Sequence, residues 1–385
     1  MNDPRAVGTG GRRRADVRRF AMADPGDVSG LRAAIDAGEI DPAAILAVIG
    51  KTHGNGLVND YTRGYLRLSL AHLIAARTGR SAEAVMEATP FIFSGGVEGV
   101  LSPHYVVLSA TDAIEAGEAP SLAIGLAFTP DLMPEDIGRQ RQIDLTAEAV
   151  ERAMDQGGMA PDDVRFVQVK GPAFGSADIQ AAAQRGRPCV QCEPGKLMAY
   201  GRAASALGIA RALGEIPFEA ATAAALLQDF GLWSGRASCS AGSEVRANEI
   251  VVLGLSDAWT GPLTIGTRTM VDALDLGALV QLAEDLGLKP APQVAAADAA
   301  RIRACFVKCE PQRDGLIRGR AHTMLNDGDI DAQRHIRGAV GALVAGVLND
   351  TALFVSGGAE HQGSDGGGLV CLIIEQPPAP GHPQS

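Results

Sequence analysis

The chain of 385 residues is long enough to bury a large core, and its apolar residues (46%) include few aromatics (4%), a composition that suits α/β layers packed by Ala, Val, Leu and Ile. A formal net charge of -11, from 34 basic against 45 acidic residues, argues against the broad basic face of a nucleic-acid binder, although an anion still fits a locally basic pocket. No apolar run reaches the roughly 18 to 20 residues of a membrane span, so no membrane partner is expected.

In chain order, the start MNDPRAVGTGGRRRADVRRF has no hydrophobic segment of signal type. A cytoplasmic location is therefore expected, with Arg12, Arg13 and Arg14 in a solvated flexible tail. The first β-like run, ILAVIGK, closes at Lys51, and the Ala/Leu-rich helical stretch YTRGYLRLSLAHLIAA opens with Arg63. FSGGVEG follows from Phe93, then the strand HYVVLSA. Past the connector GEAPSL and the helical LTAEAVERAMDQ, the same parts return: VRFVQVK to Lys170, YGRAASALGIARAL with Arg202, CSAGSEV from Cys239, and EIVVLGLS. Past WTGPLT and the helical VDALDLGALVQLAEDL they return again: IRACFVK to Lys308, HIRGAVGALVAGVL with Arg337, VSGGAEH from Val355, and LVCLIIE.

Recurrence in a fixed order is what internal duplication leaves behind. The units predicted are 1–113, 121–257 and 263–385, the middle one carrying an insertion between its lysine and its serine that a loop absorbs at modest cost. They are not expected to be independent domains, because matching edges in a threefold arrangement would pair into one closed structure with no exposed sheet edge.

A serine is a weak nucleophile at neutral pH, and a lysine of depressed pKa is a base that activates it. Three units meeting around an axis would crowd Lys51, Lys170 and Lys308 beside the arginines, and their mutual repulsion is expected to lower at least one lysine pKa. The glycines after each serine allow close backbone approach and amide donation to a carbonyl oxygen. Arg63, Arg202 and Arg337 add multiply donating cations. Such a pocket suits a small, flat, acidic ring with repeated carbonyls. Glu98, Glu244 and Glu360, four residues past each serine, are expected to orient the lysines. The six cysteines lack zinc-knuckle spacing and are read as reduced interior thiols; the histidines recur too irregularly for a His-based mechanism; and LNDGDIDAQ is read as a solvated loop.

The segments GKTHGNGLVNDYTRGY, FSGGVEGVLSPH, CSAGSE, RAHTMLNDGDIDAQRHIRGA and VSGGAEHQG together resemble the ring-opening cyclic amide hydrolases, the cyanuric acid hydrolases and barbiturases, from about Val17 to Glu375. The resemblance implies a threefold pseudo-symmetric "Toblerone" fold, with strands in a closed central barrel and helices outside, assembled as a homotetramer. It implies Ser240 as nucleophile and Lys170 as its base. Ser94, Ser356, Lys51 and Lys308 would polarise the other carbonyls and hold the ring with Arg63, Arg202 and Arg337, and backbone groups of Gly95, Ala241 and Gly357 would flank the bound oxygens. It further implies a structural Mg²⁺ or Ca²⁺ on Glu310 with loop groups of Ala359, Gln362, Gly363, Ser364 and Gly367, and no catalytic cofactor. Sequence symmetry by itself does not choose Ser240 over its counterparts. Cyanuric acid, opening to carboxybiuret, matches the site's threefold symmetry. Barbituric acid, opening to ureidomalonate, is the neighbouring substrate, another cyclic ureide a third, and a catalytically silent small-molecule-binding protein is the alternative of another class.

Overall fold

The computed structural model describes residues 12–113 and 119–377. The first unit runs β1 (Arg12–Ala21), α1 (Ser29–Asp36), β2 (Ile45–Thr52), α2 (Thr62–Thr78), α3 (Ala82–Ala88), β3 (Phe91–Gly95) and β4 (His104–Ala113). The second runs β5 (Ser121–Phe128), α4 (Gln140–Gly157), β6 (Val164–Pro172), α5 (Ser176–Gln184), α6 (Pro194–Ala212), β7 (Ala237–Gly242) and β8 (Glu249–Ser256). A short β9 (Trp259–Thr260) leads to the third: β10 (Leu263–Met270), α7 (Leu276–Asp285), α8 (Ala296–Ala299), β11 (Ile302–Cys309), a hairpin of β12 (Leu316–Ile317) and β13 (Arg320–Ala321), α9 (Ala332–Leu348), β14 (Phe354–Ser356) and β15 (Gly368–Glu375).

Each unit builds one sheet with the same strand order: β1-β4-β2-β3, β5-β8-β6-β7 and β10-β15-β11-β14, with β9 added outside β1. In each, the lysine strand lies parallel to the serine strand and antiparallel to the long strand after it. The register of that antiparallel ladder shifts near the start of the lysine strand every time, at Ile45/Ala47, Val164/Phe166 and Ile302/Ala304. The lysine strands are buried almost throughout, as strands covered on both faces must be.

Alternation along the strands supplies two apolar faces. One face of each sheet meets the other two sheets in a central core, where Ile49 and Val106 join Ile124, Phe166, Phe306 and Cys371. Phe166 stacks on Phe306 with centroids 4.9 Å apart. The outer faces take the helices: Leu66, Leu70 and Ile74 of α2 cover Val48, Phe91 and Tyr105, and Val340 and Val344 of α9 cover Val307 and Val355. The helix ends follow local chemistry. α2 stops at Gly79 in the left-handed region (φ 70°), and Asp331 caps α9 by accepting from the Gln333 N–H.

Two expectations need correction. Among the described residues no sheet closes into a barrel: apart from the β12-β13 hairpin, the strands form three separate hydrogen-bonded ladders. They pack on one another through the side chains of the central core. The outer edges of β3 and β7 are met by side chains of the next unit instead. Glu249 accepts the Phe91 N–H at 2.8 Å and Lys170 donates to the Phe93 carbonyl at 2.6 Å, while Gln362 accepts the Cys239 N–H and Lys308 donates to its carbonyl, both at 2.6 Å. Nor are Arg12, Arg13 and Arg14 a tail. They begin β1, opposite Ala113, Asp112 and Thr111, because the run carries inward Ala15 and Val17 on alternate positions, and Arg13 lies over the Trp259 ring at 4.8 Å. Residues 1–11, and Gly117 and Glu118 of the connector GEAPSL, lie outside the described residues. No helix among the described residues is long and apolar enough to cross a membrane.

Candidate active site

Parallel pairing sets each lysine beside its serine at the carboxyl end of its sheet, where open α/β sheets bind ligands: Lys51 opposite Ser94, Lys170 opposite Ser240, Lys308 opposite Ser356. The three ends meet at one cavity of about 250 Å³. Ser94, Ser240 and Ser356 line it, with Gly95, Ala241 and Gly357 beside them and Arg63, Arg202 and Arg337 around them. Of the lysines only Lys170 is among the lining residues; all three are fully buried.

Each lysine donates to the carbonyl one residue past its serine: Lys51 to Gly95 at 3.2 Å, Lys170 to Ala241 at 3.0 Å, Lys308 to Gly357 at 2.9 Å. Lys51 and Lys308 also reach their serine hydroxyls, at 3.2 and 3.1 Å. Lys170 does not. Its ammonium instead meets Glu244 at 3.0 Å, while the Ser240 hydroxyl lies against the Val169 carbonyl at 3.4 Å. All three lysine pKa values are depressed, Lys308 to about 7, Lys170 to about 8 and Lys51 well below the usual range. The expected repulsion among lysines and arginines contributes, Arg337 and Lys308 both lowering Lys51, but it is not the first cause. Burial comes first in every case, followed by the neighbouring arginine for Lys51 and Lys308, whereas Glu244 pulls Lys170 back up.

The glutamates also depart from expectation, since only Glu244 touches a lysine. Their common partner is the arginine of another unit: Arg63 with Glu244 at 3.2 Å, Arg202 with Glu360 at 2.6 Å, and Arg337 with Glu98 at 2.6 Å. Burial alone would raise these carboxyls, but the guanidinium and lysine charges outweigh it and hold all three below the usual range. The ring of pairs explains the second small residue of each serine motif. A Cβ on Gly96 would stand 2.3 Å from a Glu98 oxygen, one on Gly242 2.2 Å from Glu244, and one on Gly358 2.7 Å from the Arg202 guanidinium.

Asn55, Leu57, Met198, Asp331 and Gln333 also line the cavity, and repeat logic missed them because they belong to loops and helix starts that differ between units. Asp331 and Gln333 come from the end of the run read as a solvated loop. The Gln333 side chain accepts the Gly358 N–H at 2.7 Å. Asp60 was missed too: buried, it accepts the Gly56 N–H at 2.7 Å and stands 3.8 Å from Arg63. The Asn-Asp pair just ahead of α2 was its only signal. No histidine among the described residues lines the cavity. The cysteines are all free, but Cys189 is half-buried and Cys192 exposed, so those two are not interior thiols.

The residues expected around a divalent cation lie on the exit of β11 and on the loop 359–367. Glu310 is buried, with one oxygen on Arg313 at 2.8 Å and a hydrogen bond from the Ala359 main chain. The Gln362 amide is committed elsewhere, its oxygen to Cys239 and its nitrogen to the Gly358 and Glu360 carbonyls. The Ser364 carbonyl accepts from the Gly367 N–H at 2.9 Å, and Gly363 turns the loop at φ 106°. No cluster of three His, Cys, Asp or Glu side chains suited to a metal exists among the described residues. The donors on offer are one carboxylate and main-chain oxygens, a set that fits a hard cation such as Mg²⁺ or Ca²⁺.

A family model described as "amidohydrolase ring-opening protein" matches residues 16–375. The chain is 46% identical over 360 residues to a cyanuric acid amidohydrolase of Azorhizobium caulinodans, covering 93% of this chain and 98% of that one. It is 44% identical over 361 residues to another of Ectopseudomonas oleovorans, at the same coverages. Among solved structures, a cyanuric acid hydrolase superposes with a TM-score of 0.91 at 42% identity, covering 94% of this chain and all of that one. The A. caulinodans enzyme superposes with a TM-score of 0.87 at 45% identity, over 94% of this chain and 99% of that one.

Proposed function

The chain belongs to the ring-opening amidohydrolase family, and from that premise we propose that it hydrolyses cyanuric acid with Ser240 as nucleophile and Lys170 as base. The observation carrying this reading is the single cavity that gathers three serines and three arginines from distant parts of the chain. A ring with three equivalent carbonyls places one at each serine. Arg63, Arg202 and Arg337 draw charge onto the ring oxygens and exclude water, which strengthens every hydrogen bond inside.

Neutral Lys170 takes the Ser240 proton once the hydroxyl has rotated from Val169 toward the amine, a motion about one side-chain bond between register partners. The alkoxide attacks the carbonyl held at the middle unit. The ring C–N bond breaks as its nitrogen takes the proton back from Lys170, and water then frees carboxybiuret, which loses CO₂. Lys170 supports the choice of unit because it alone of the three lysines lines the cavity. Lys51 and Lys308, behind Ser94 and Ser356, hold those hydroxyls as donors to the remaining oxygens.

A divalent cation on Glu310 and the carbonyls of 359–367 would stiffen the loop that carries Glu360, and through it Arg202. Three units spanning 1–113, 121–257 and 263–385, assembly as a homotetramer and a cytoplasmic location complete the reading. The test is turnover by purified protein on a panel of cyanuric acid, barbituric acid and related cyclic ureides, with product analysis. Opening of cyanuric acid with release of CO₂ is expected. Preference for barbituric acid would move the substrate within the family, and tight binding without turnover of any member would leave a binding protein.

A further inference from the structure

The three motif glutamates are equivalent in sequence but not in what they hold. Glu98 gives both carboxylate oxygens to Arg337, at 2.6 and 2.9 Å, and Glu360 gives both to Arg202, at 2.6 and 2.8 Å. Glu244 gives one oxygen to Arg63, at 3.2 Å, and turns the other to Lys170 at 3.0 Å. The cause lies in the first unit. Arg63 is drawn aside by the Leu57 carbonyl at 2.9 Å and by Asp60 at 3.8 Å, three residues before it. The positions three before the other arginines are Ala199 and Arg334, which offer no carboxylate. An arginine already shared cannot bind Glu244 in the two-pronged manner, and the spare oxygen falls to the one lysine that lines the cavity.

We propose that Glu244 is the positioning residue of a Ser240–Lys170–Glu244 relay, and that Asp60, by diverting Arg63, is what assigns catalysis to the middle unit. This inference rests on the Ser240–Lys170 reading. When Ser240 gives its proton to the Lys170 nitrogen, the ammonium formed stands beside a carboxylate that stays ionised. When the ring nitrogen leaves, it takes that same proton back. Glu244 thereby does for a lysine what the aspartate of a Ser-His-Asp triad does for histidine: it orients the base and stabilises its cation.

The charged groups facing Glu244 are Lys170 from β6, Arg63 from α2, Asp60 from the loop before it, and Glu249 from β8 with its partner Arg67. Neutralising Glu244 removes an anion that favours the protonated lysine. Lys170 then loses its proton at lower pH, so the acid limb of the kcat profile moves down.

Glu244→Gln is expected to lower kcat by about 100-fold or more with little change in KM, and to shift the acid limb down by about one pH unit. Glu98→Gln and Glu360→Gln should raise KM and leave the limb in place. Asp60→Asn should move the limb in the same direction as Glu244→Gln, and it stands in for that variant if Glu244→Gln fails to fold. An unmoved limb in both Glu244→Gln and Asp60→Asn, with Ser240→Ala and Lys170→Met inactive, overturns the role of Glu244 alone. Turnover surviving in Ser240→Ala or Lys170→Met overturns the underlying assignment.

Discussion

The middle corner of the cavity and the other two share a strand register, yet their surroundings differ in kind. Gly95 sits under Asp60 and Gly357 under Gln333, so close that an added Cβ would stand 1.6 and 2.8 Å from those side chains. In the middle unit the matching residue is Ala241, packed on Met198, Ala173 and Val58. Met198 and Gln333 both stand four residues before their arginine, one apolar and one polar. The outer corners therefore hold serines fixed by lysine in polar walls. The middle one holds a serine free of its lysine against an apolar wall. Duplication fixed where the groups stand, and the segments that diverged afterwards fixed what they do.

The largest effect should come from removing the hydroxyls one at a time. Ser240→Ala is expected to lose on the order of 10⁶-fold in kcat, the scale seen when a nucleophile acting with its base is deleted. Ser94→Ala and Ser356→Ala should mainly raise KM and still give an acyl-enzyme burst in rapid-quench measurements. Equal losses without a burst in all three would erase the distinction between the corners.

The small residues after the serines sharpen the same contrast. Gly95→Ala must expel Asp60 from a buried network that includes Arg63, and should cost about 3 kcal/mol or more in urea unfolding, the scale of a broken buried ion pair. Gly357→Ala presses on Gln333, and should cost less because a flexible amide can give way. Ala241→Gly loses only its packing on Met198 and some chain stiffness, about 1 kcal/mol. A reversed order would mean that the first-unit loop is not the rigid wall described.

How much of this was legible in the sequence follows from the same division. Repetition exposed Lys51, Ser94, Arg63 and their counterparts, because a feature written three times stands out against turn-forming serines and surface arginines. It also located strands and helices, whose apolar periods survive duplication. Partners across units were not legible: nothing local says that Glu98 answers Arg337, 239 residues away. Nor were features that occur once, such as Asp60, Met198 and Gln333. β1 was hidden by its own exposed face, where arginines alternate with the few inward apolar residues. The barrel was expected because edges must be covered, and the structure covers them with Lys170, Lys308, Glu249 and Gln362, which no strand pattern announces.

That last point yields the smallest effect and the most direct check on how the sheets join. Cys239 precedes Ser240 at the free edge of β7, where its N–H goes to Gln362 and its carbonyl to Lys308. Gln362→Leu keeps the volume and removes the acceptor, leaving a buried N–H unmet. The expected cost is about 1–3 kcal/mol in urea unfolding, with a modest fall in kcat because the slack arises one residue from Ser240, the proposed nucleophile. Gln362→Glu supplies an acceptor again and should recover part of the loss if the N–H is what matters, although it surrenders the donors to Gly358 and Glu360. If Gln362→Leu unfolds at the wild-type urea midpoint, the edge of β7 is satisfied by some other group, and closure of the three sheets through side chains of the next unit is wrong for this seam.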